Sequence, residues 1–375
     1  MAAGRKSVLC LVGTRPECIK MAPVVLALRK AAFCDVSVLN TGQHRELTRQ
    51  ALSMFGLEAD FDLDVMVSNQ SLAALSSRIL AKLDAVLEDR IPDLVLVQGD
   101  TTSVFVGALA AFYRRIPVGH VEAGLRTHTI DRPFPEEFNR IVTSLVSAIH
   151  FAPTEGARAN LLREGARPDR VHVTGNTVID ALLAVADRPT PCAFPVVPGR
   201  RLILVTAHRR EHFGAPIREI CRAIAELHAR FPDTEFVYPV HPNPNIQEPV
   251  QASLAQLQRV HLIPPADYDS LVALMKRATL ILTDSGGIQE EAPALGKPVL
   301  VMRDETERLE ALAAGVARLV GANARRIVDE AATLLTDAAA HAAMARGGSP
   351  YGDGRAAQRI AELCRELLMS SAGPA

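Results

Sequence analysis

Leu280-Ile281-Leu282-Thr283-Asp284-Ser285-Gly286-Gly287-Ile288-Gln289-Glu290-Glu291 is an apolar run that ends in a polar, glycine-containing turn and continues into a helix-forming segment. A continuous apolar strand suits a parallel sheet buried on both faces, and a strand feeding a helix through a short turn is half of a right-handed crossover. The turn also suits an anion. Ser285, Gly286 and Gly287 allow close backbone approach, and the first N–H groups of the helix lie at the positive end of its dipole. Glu291, one turn into the helix, is placed to accept hydrogen bonds from ribose hydroxyls. The plainer reading is an ordinary strand-to-helix turn.

Working outward, the same unit recurs. Candidate strands are Ser7–Val12, Val36–Asn40, Leu94–Gln98, Val118–Val121, Ile149–Ala152 and Val171–Thr174, separated by helical patterns such as Ser103–Arg114, Glu137–Ser147 and Gly156–Glu164. The pattern breaks at residues 188–200, where four prolines mark a linker. A second series follows: Leu202–Thr206, Phe236–Val240, Val260–Ile263, Leu280–Thr283, Pro298–Val301 and Arg318–Val320, with helices at Pro216–Arg230 and Ser270–Arg277. The expected fold is therefore α/β, with two doubly wound halves, residues 1–187 and 200–350. A last helix, about 354–370, is expected to pack back on the first half.

Composition narrows the class. The 375 residues suffice for two domains; 48% are hydrophobic, tryptophan is absent, and aromatics make up only 4%, so the core must be aliphatic. Net charge is −1, which argues against a general nucleic-acid binder. The six cysteines lack CxxC spacing and read as reduced, small hydrophobes rather than a disulfide framework or zinc ribbon. Arg5 and Lys6 precede an apolar run, Val8–Val12, too short for a signal-peptide core, and no stretch has the length of a membrane span. The expected compartment is the cytoplasm, with no membrane partner.

Ligands of open α/β sheets bind beyond the carboxyl ends of the strands. After the first strand, Arg15 and Lys20 lie near a helix start, a position that favours an anion site over a solvated basic pair. Asp100, Glu122 and Glu136 each sit at a turn on the same side of the first sheet. One such acid is often only a cap, but three converging carboxylates suit general acid–base chemistry, because neighbours push one another's acidity apart. His208-Arg209-Arg210-Glu211-His212 matches an inverted zinc-protease signature, yet it abuts a strand and runs into Phe213-Gly214. It reads as a loop whose donors suit phosphate, and no metal is expected. His241, in a proline-rich loop, is either a ligand-facing or a structural histidine. Gly352–Ala357 fits a degenerate dinucleotide fingerprint without a preceding strand, and Asp62-Leu63-Asp64 lacks further ligands.

Taken in order, GTRPECIKMAP, TGQHRE, QGDTTS, VGHVEAGLRT, PFPEEFNR, VTGNTVIDAL, HRREHFG, VYPVHPNP, LTDSGGIQEEAP, GKPVLVMRDETER and SPYGDG resemble the non-hydrolysing UDP-N-acetylglucosamine 2-epimerase family, from about residue 8 to 365. The resemblance implies two Rossmann-like domains with a cleft between them, of the glycosyltransferase-B type. It also implies a homodimer, a UDP-sugar substrate, and neither metal nor other cofactor. The implied reaction removes the C2 proton as UDP leaves C1, giving a 2-acetamidoglucal, and then adds UDP back with reprotonation from the other face. Carried over by motif, Asp100, Glu122 and Glu136 are the acid–base carboxylates. Arg15, Lys20 and His208 stabilise the departing diphosphate, and Arg140 supports the site. Ser285, Gly286, Gly287, Glu291 and Arg308 hold UDP.

Some positions depart from the family pattern. Leu309 stands where proline is usual. Of an allosteric pocket found in some members, Gln43, Gln70 and His241 match, while Glu46 and Asn69 replace a glutamine and an arginine. The segment His128–Arg132 also differs, which leaves open a modified sugar such as a UDP-2,3-diacetamido-uronate. A hydrolysing relative, a glycosyltransferase of the same fold and an inactive sugar-nucleotide-binding module are the other readings.

Overall fold

The computed structural model describes residues 5–370 apart from 44, 68, 190–196, 198 and 347. Most of the expected proline-rich linker, and Cys192, lie outside the described residues. The chain forms two compact units, Met1–Ala181 with Tyr351–Ala375, and Leu182–Pro350.

The first unit holds seven parallel strands: β1 (Lys6–Val12), β2 (Cys34–Asn40), β3 (Phe61–Asp62), β4 (Leu94–Gln98), β5 (Val118–Val121), β6 (Ile149–Ala152) and β7 (Val171–Val173). Their order in the sheet is β3-β2-β1-β4-β5-β6-β7. The second unit holds β8 (Arg201–Thr206), β9 (Thr234–Pro239), β10 (Val260–Ile263), β11 (Leu280–Thr283), β12 (Val299–Val301) and β13 (Ala317–Leu319), in the order β10-β9-β8-β11-β12-β13. Each sheet reverses its direction of growth once, between β1 and β4 and between β8 and β11. Crossovers on the two sides of such a point diverge to opposite faces and leave a crevice at the carboxyl edge. The residues there are Gly13–Thr14 and Gly99–Asp100 in the first unit, and Ala207–His208 and Asp284–Ser285 in the second.

Aliphatic side chains supply the cores. In the second unit Ile203, Val205, Leu280, Leu282 and Leu300 are fully buried against helix residues such as Ile220, Ile224 and Ile327. Each such side chain contributes roughly 1.5–3 kcal/mol on leaving water. The strand β3 was not expected; two residues are too few to carry a period-two pattern, and only pairing of Leu39 and Asn40 with Phe61 and Asp62 defines it. The terminal helix, Ala356–Ser370, belongs to the first unit and lies against the helix Arg15–Ala31. Its start is capped by Asp180, which accepts the N–H groups of Ala356 and Ala357 at 3.2 and 2.9 Å. Among the described residues, no helix is long and apolar enough to cross a membrane.

The turn after β5 is the most constrained in the first unit. Glu122 has φ +62 and Gly124 φ +92, and a Cβ on Gly124 would run into the backbone carbonyl of Ala157. Gly124→Ala is therefore expected to destabilise the first unit by at least about 1–3 kcal/mol. Denaturant unfolding measures this, and an unchanged midpoint would show that the turn relaxes freely.

Candidate functional site

In the first unit the helix Arg15–Ala31 begins directly after β1, with Pro16 pre-set for its first turn. An external anion was expected at this start. The structure places the chain's own Glu17 there: its carboxylate accepts the Gly13 N–H at 2.7 Å and the Thr14 hydroxyl at 2.8 Å. This is a local capping arrangement that uses donors otherwise free for a ligand. Burial pushes the Glu17 carboxyl up to about 7, against the lowering effect of hydrogen bonds from Thr101, Thr14 and Gly13. Arg15 remains half-buried, and among the described residues no carboxylate pairs with it.

Lys20, expected at a diphosphate, clamps Glu122, its ammonium lying 2.7 and 2.6 Å from the two carboxylate oxygens. Gln98, the last residue of β4, donates to the same carboxylate. These donors hold Glu122 in its left-handed backbone conformation. Asp100, after β4, pairs with the Arg140 guanidinium, and Asn139 donates to its backbone carbonyl at 2.9 Å. Burial makes Asp100 a weaker acid than an ordinary aspartate; Arg140 opposes this, and repulsion from Glu122 adds to it. The sequence reading made mutual repulsion the leading cause, whereas desolvation leads.

Glu136 opens the helix Glu136–Val146, and one of its carboxylate oxygens is buried without a hydrogen-bond partner among the described residues. Arg140 is one turn further along the same helix, on the same face. The first unit thus holds two ion pairs, Lys20 with Glu122 and Arg140 with Asp100, that act on each other electrostatically, and presents Glu136 beside Arg140 on the same helix. Gln43 and Gln70 are not joined. Ser103 donates to Gln43 at 3.0 Å, while Gln70 accepts from Arg78.

In the second unit the turn after β11 is organised by Asp284, which is fully buried. One of its oxygens accepts the N–H groups of His208 and Arg209 at 2.7 and 2.8 Å, and the His212 ring nitrogen at 2.9 Å. Burial opposes ionisation of Asp284, but these donors outweigh it and hold the carboxyl below the ordinary aspartate range. Asp284 is thus a strut for the His208 loop. Within that loop His212 is spent on Asp284 and Glu211 on Arg303, so the zinc-like spacing serves the loop itself. His208 stacks on His241, ring centres 6.1 Å apart and 18° between planes. Its own partial burial lowers its basicity below that of an ordinary histidine, with Asp284 partly offsetting this.

The helix Gly286–Ala294 starts two residues beyond β11, with Ser285 at its cap. The Ser285 N–H is taken by the Thr283 hydroxyl at 2.9 Å, leaving the N–H groups of Gly286, Gly287 and Ile288 without intrahelical acceptors. A Cβ on Gly286 would lie 3.1 Å from the guanidinium carbon of Arg308, and Arg308 is anchored on Glu290 at 2.9 Å. A guanidinium over a helix start is a strong anion site. Glu291 is buried and accepts the Tyr268 hydroxyl at 2.5 Å.

The sequence reading missed Gln98, Glu137, Asp284, Glu290 and Tyr268 as supporting groups. Asp284 and Glu290 lie inside the quoted motif and were legible as acids but not as struts. Gln98 carried a signal, since it is the one polar residue in an apolar strand. Tyr268 carried none.

A family model described as UDP-N-acetylglucosamine 2-epimerase matches residues 26–365. The UDP-N-acetylglucosamine 2-epimerase of Escherichia coli K12 is 52% identical over 373 residues, covering 97% of this chain and 99% of that one. Among solved structures, the UDP-GlcNAc 2-epimerase of Neisseria meningitidis bound to UDP-GlcNAc superposes with a TM-score of 0.89 at 48% identity, covering 96% of this chain and 100% of that one. The Methanocaldococcus jannaschii UDP-GlcNAc 2-epimerase in complex with UDP-GlcNAc and UDP superposes with 0.80 at 33% identity, covering 96% and 99%.

The raised Glu17 carboxyl makes the first unit's stability depend on pH. Below its ordinary value of 4.5 the group is protonated in both folded and unfolded chains. Between 4.5 and about 7 only the folded chain keeps the proton, so stability from this group is lost as pH rises through that window. Glu17→Gln, which mimics the protonated acid, is expected to gain in stability relative to the parent across that window and level off above it. Unfolding curves at several pH values test this; a pH-independent difference would mean that folded Glu17 is ionised throughout.

Proposed function

This chain belongs to the UDP-N-acetylglucosamine 2-epimerase family, and on that premise we propose that it reversibly interconverts UDP-N-acetylglucosamine and UDP-N-acetylmannosamine by inversion at C2. The observation that carries the reading is the two ion pairs, Arg140 with Asp100 after β4 and Lys20 with Glu122 after β5, with Glu136 alongside Arg140 on its helix. A carboxylate takes the C2 proton, the C1–O bond breaks, and UDP leaves with the bonding electron pair. The neutral 2-acetamidoglucal then accepts UDP at C1 and a proton at C2 from the opposite face. Two faces require two proton-handling groups, which Asp100, Glu122 and Glu136 can supply.

The second unit supplies the nucleotide grip in this reading. The Gly286 and Gly287 N–H groups and Arg308 face the diphosphate, with Ser285 at the cap, while Glu291 is held by Tyr268 toward the nucleoside. Lasting hold on UDP is essential, because the same molecule must add back. His208 supplies a further donor. The leaving diphosphate gains charge as the C1–O bond breaks, and preorganised donors stabilise that charge without reorganisation.

In deuterated water the product is expected to carry deuterium at C2; its absence would sink the elimination route. Asp100→Asn is expected to lose roughly 10²–10⁴-fold in kcat. UDP affinity should be nearly unchanged, because the grip lies in the other unit. Comparable activity in that variant would remove Asp100 from the proton chemistry.

We further propose a homodimer. Phe105 and Phe138, on neighbouring helices of the first unit, meet edge to face at 5.6 Å. Two turns further on, Phe112 and Leu145 are 53% and 73% exposed, extending an apolar face. The double variant Phe112→Glu, Leu145→Glu is expected to run as a monomer in light scattering. A dimer that persists would place the interface elsewhere.

A further inference from the structure

Glu137 stands beside the candidate catalytic Glu136, yet its side chain is turned the other way and is fully buried. A carboxylate is tolerated there only if its oxygens are satisfied. One oxygen accepts the consecutive backbone N–H groups of Thr127 and His128, at 3.0 and 3.1 Å. The other accepts Nη1 of Arg140 at 3.0 Å. The second terminal nitrogen of the same guanidinium, Nη2, donates to Asp100. A guanidinium is planar and rigid, so fixing one end fixes where the other points. The Thr127 hydroxyl in turn donates to the carbonyl of Arg132 at 2.5 Å, closing the 127–132 loop on itself.

We propose that Glu137 is a positioning residue for the epimerisation: one oxygen holds the Arg140 guanidinium against Asp100, and the other pins the start of the 127–132 loop. The proposal rests on the assignment of Asp100 to the proton chemistry. The charged groups that face Asp100 are Arg140, Glu122, Lys20 and Glu17. Arg140 is anchored by the fully buried Glu137, so its release is the change that Glu137 controls. Loss of Glu137 would act on Asp100 in two opposed ways. Removing a nearby negative charge through space would make Asp100 more acidic. Releasing Arg140 would make it less acidic, and the positioning role requires this second effect to win.

Glu137→Gln separates the two. Its remaining amide oxygen can still accept the Thr127 and His128 N–H groups, but its amide NH2 faces Arg140, donor against donor. Expected is a fall in kcat of roughly tenfold to a hundredfold, with KM for UDP-N-acetylglucosamine kept within about twofold. One apparent pKa of the kcat profile should move up by roughly one unit. An unmoved profile, or a downward shift, would overturn the proposal. Combining Glu137→Gln with Arg140→Met should cost no more than Arg140→Met alone, because the effect runs through Arg140; additive losses would also overturn it.

Should Glu137→Gln not fold, Arg140→Lys leaves the loop contacts in place. A single ammonium cannot bridge both carboxylates as the guanidinium does, so the same upward shift is expected, and a parental profile in this variant would count against the proposal. Asp100→Asn run alongside keeps the two claims apart. If it is active, the assignment of Asp100 fails regardless of Glu137. If it is inactive while Glu137→Gln is indistinguishable from the parent, the positioning role alone fails.

Discussion

Every strand in both sheets runs parallel, and this one constraint places the chemistry. Parallel strands need a crossover after each, so every strand-to-helix turn emerges at the same edge. Thr14, Asp100 and Glu122 follow three different strands, β1, β4 and β5, yet share an edge for that reason alone. In the second unit the ends of β8 and β11 are level, Thr206 opposite Thr283, with their hydroxyls 2.6 Å apart. Asp284 therefore begins where the His208 loop begins, and one carboxylate can tie both.

Buried carboxylates are the device that both units use to fix these turns. Glu17 holds the β1 turn, Glu137 the loop after β5, Asp284 the loop after β8, and Glu290 the guanidinium of Arg308. Each accepts hydrogen bonds from groups that would otherwise be unpaired, which offsets the desolvation that burial costs. The acids proposed to act on substrate differ: Asp100 is half-buried, and Glu136 has an oxygen with no partner among the described residues. Hydrogen-bond satisfaction alone does not sort the two groups: Glu122, also proposed to act, is held by Lys20 and Gln98, while one oxygen of Asp284 is buried without a hydrogen-bond partner among the described residues.

Position at the strand ends explains how far the site was legible. Asp100, Glu122 and Glu136 could be read from position, since an acid after an apolar strand falls on the ligand edge of the sheet. Glu136 and Glu137 are adjacent, and nothing in the order Pro-Glu-Glu-Phe says which one is buried. Helical rotation of about 100° between neighbours, and the loop that happens to lie against the helix, decide it. Lys20 reads as a phosphate cation from its place near a helix start, but its reach to Glu122 spans 102 positions of sequence. The His208-to-His212 spacing illustrates the converse: a motif with metal chemistry in one local geometry becomes a strand-end loop tied by its second histidine to Asp284.

The sequence by itself determined the alternation of strand and helix, the two-part organisation and the edge on which polar chemistry collects. Those are local properties: apolar runs set by strand burial, turns set by glycine and proline, helix starts set by capping residues. The tertiary structure alone decided which of Glu136 and Glu137 is buried, that Lys20 serves Glu122, and that Arg140 bridges Asp100 and Glu137. The Lys20 pairing and the Asp100 half of the Arg140 bridge join side chains 102 and 40 positions apart in sequence. Their energies come from the burial and partners that the fold creates, which no local pattern records.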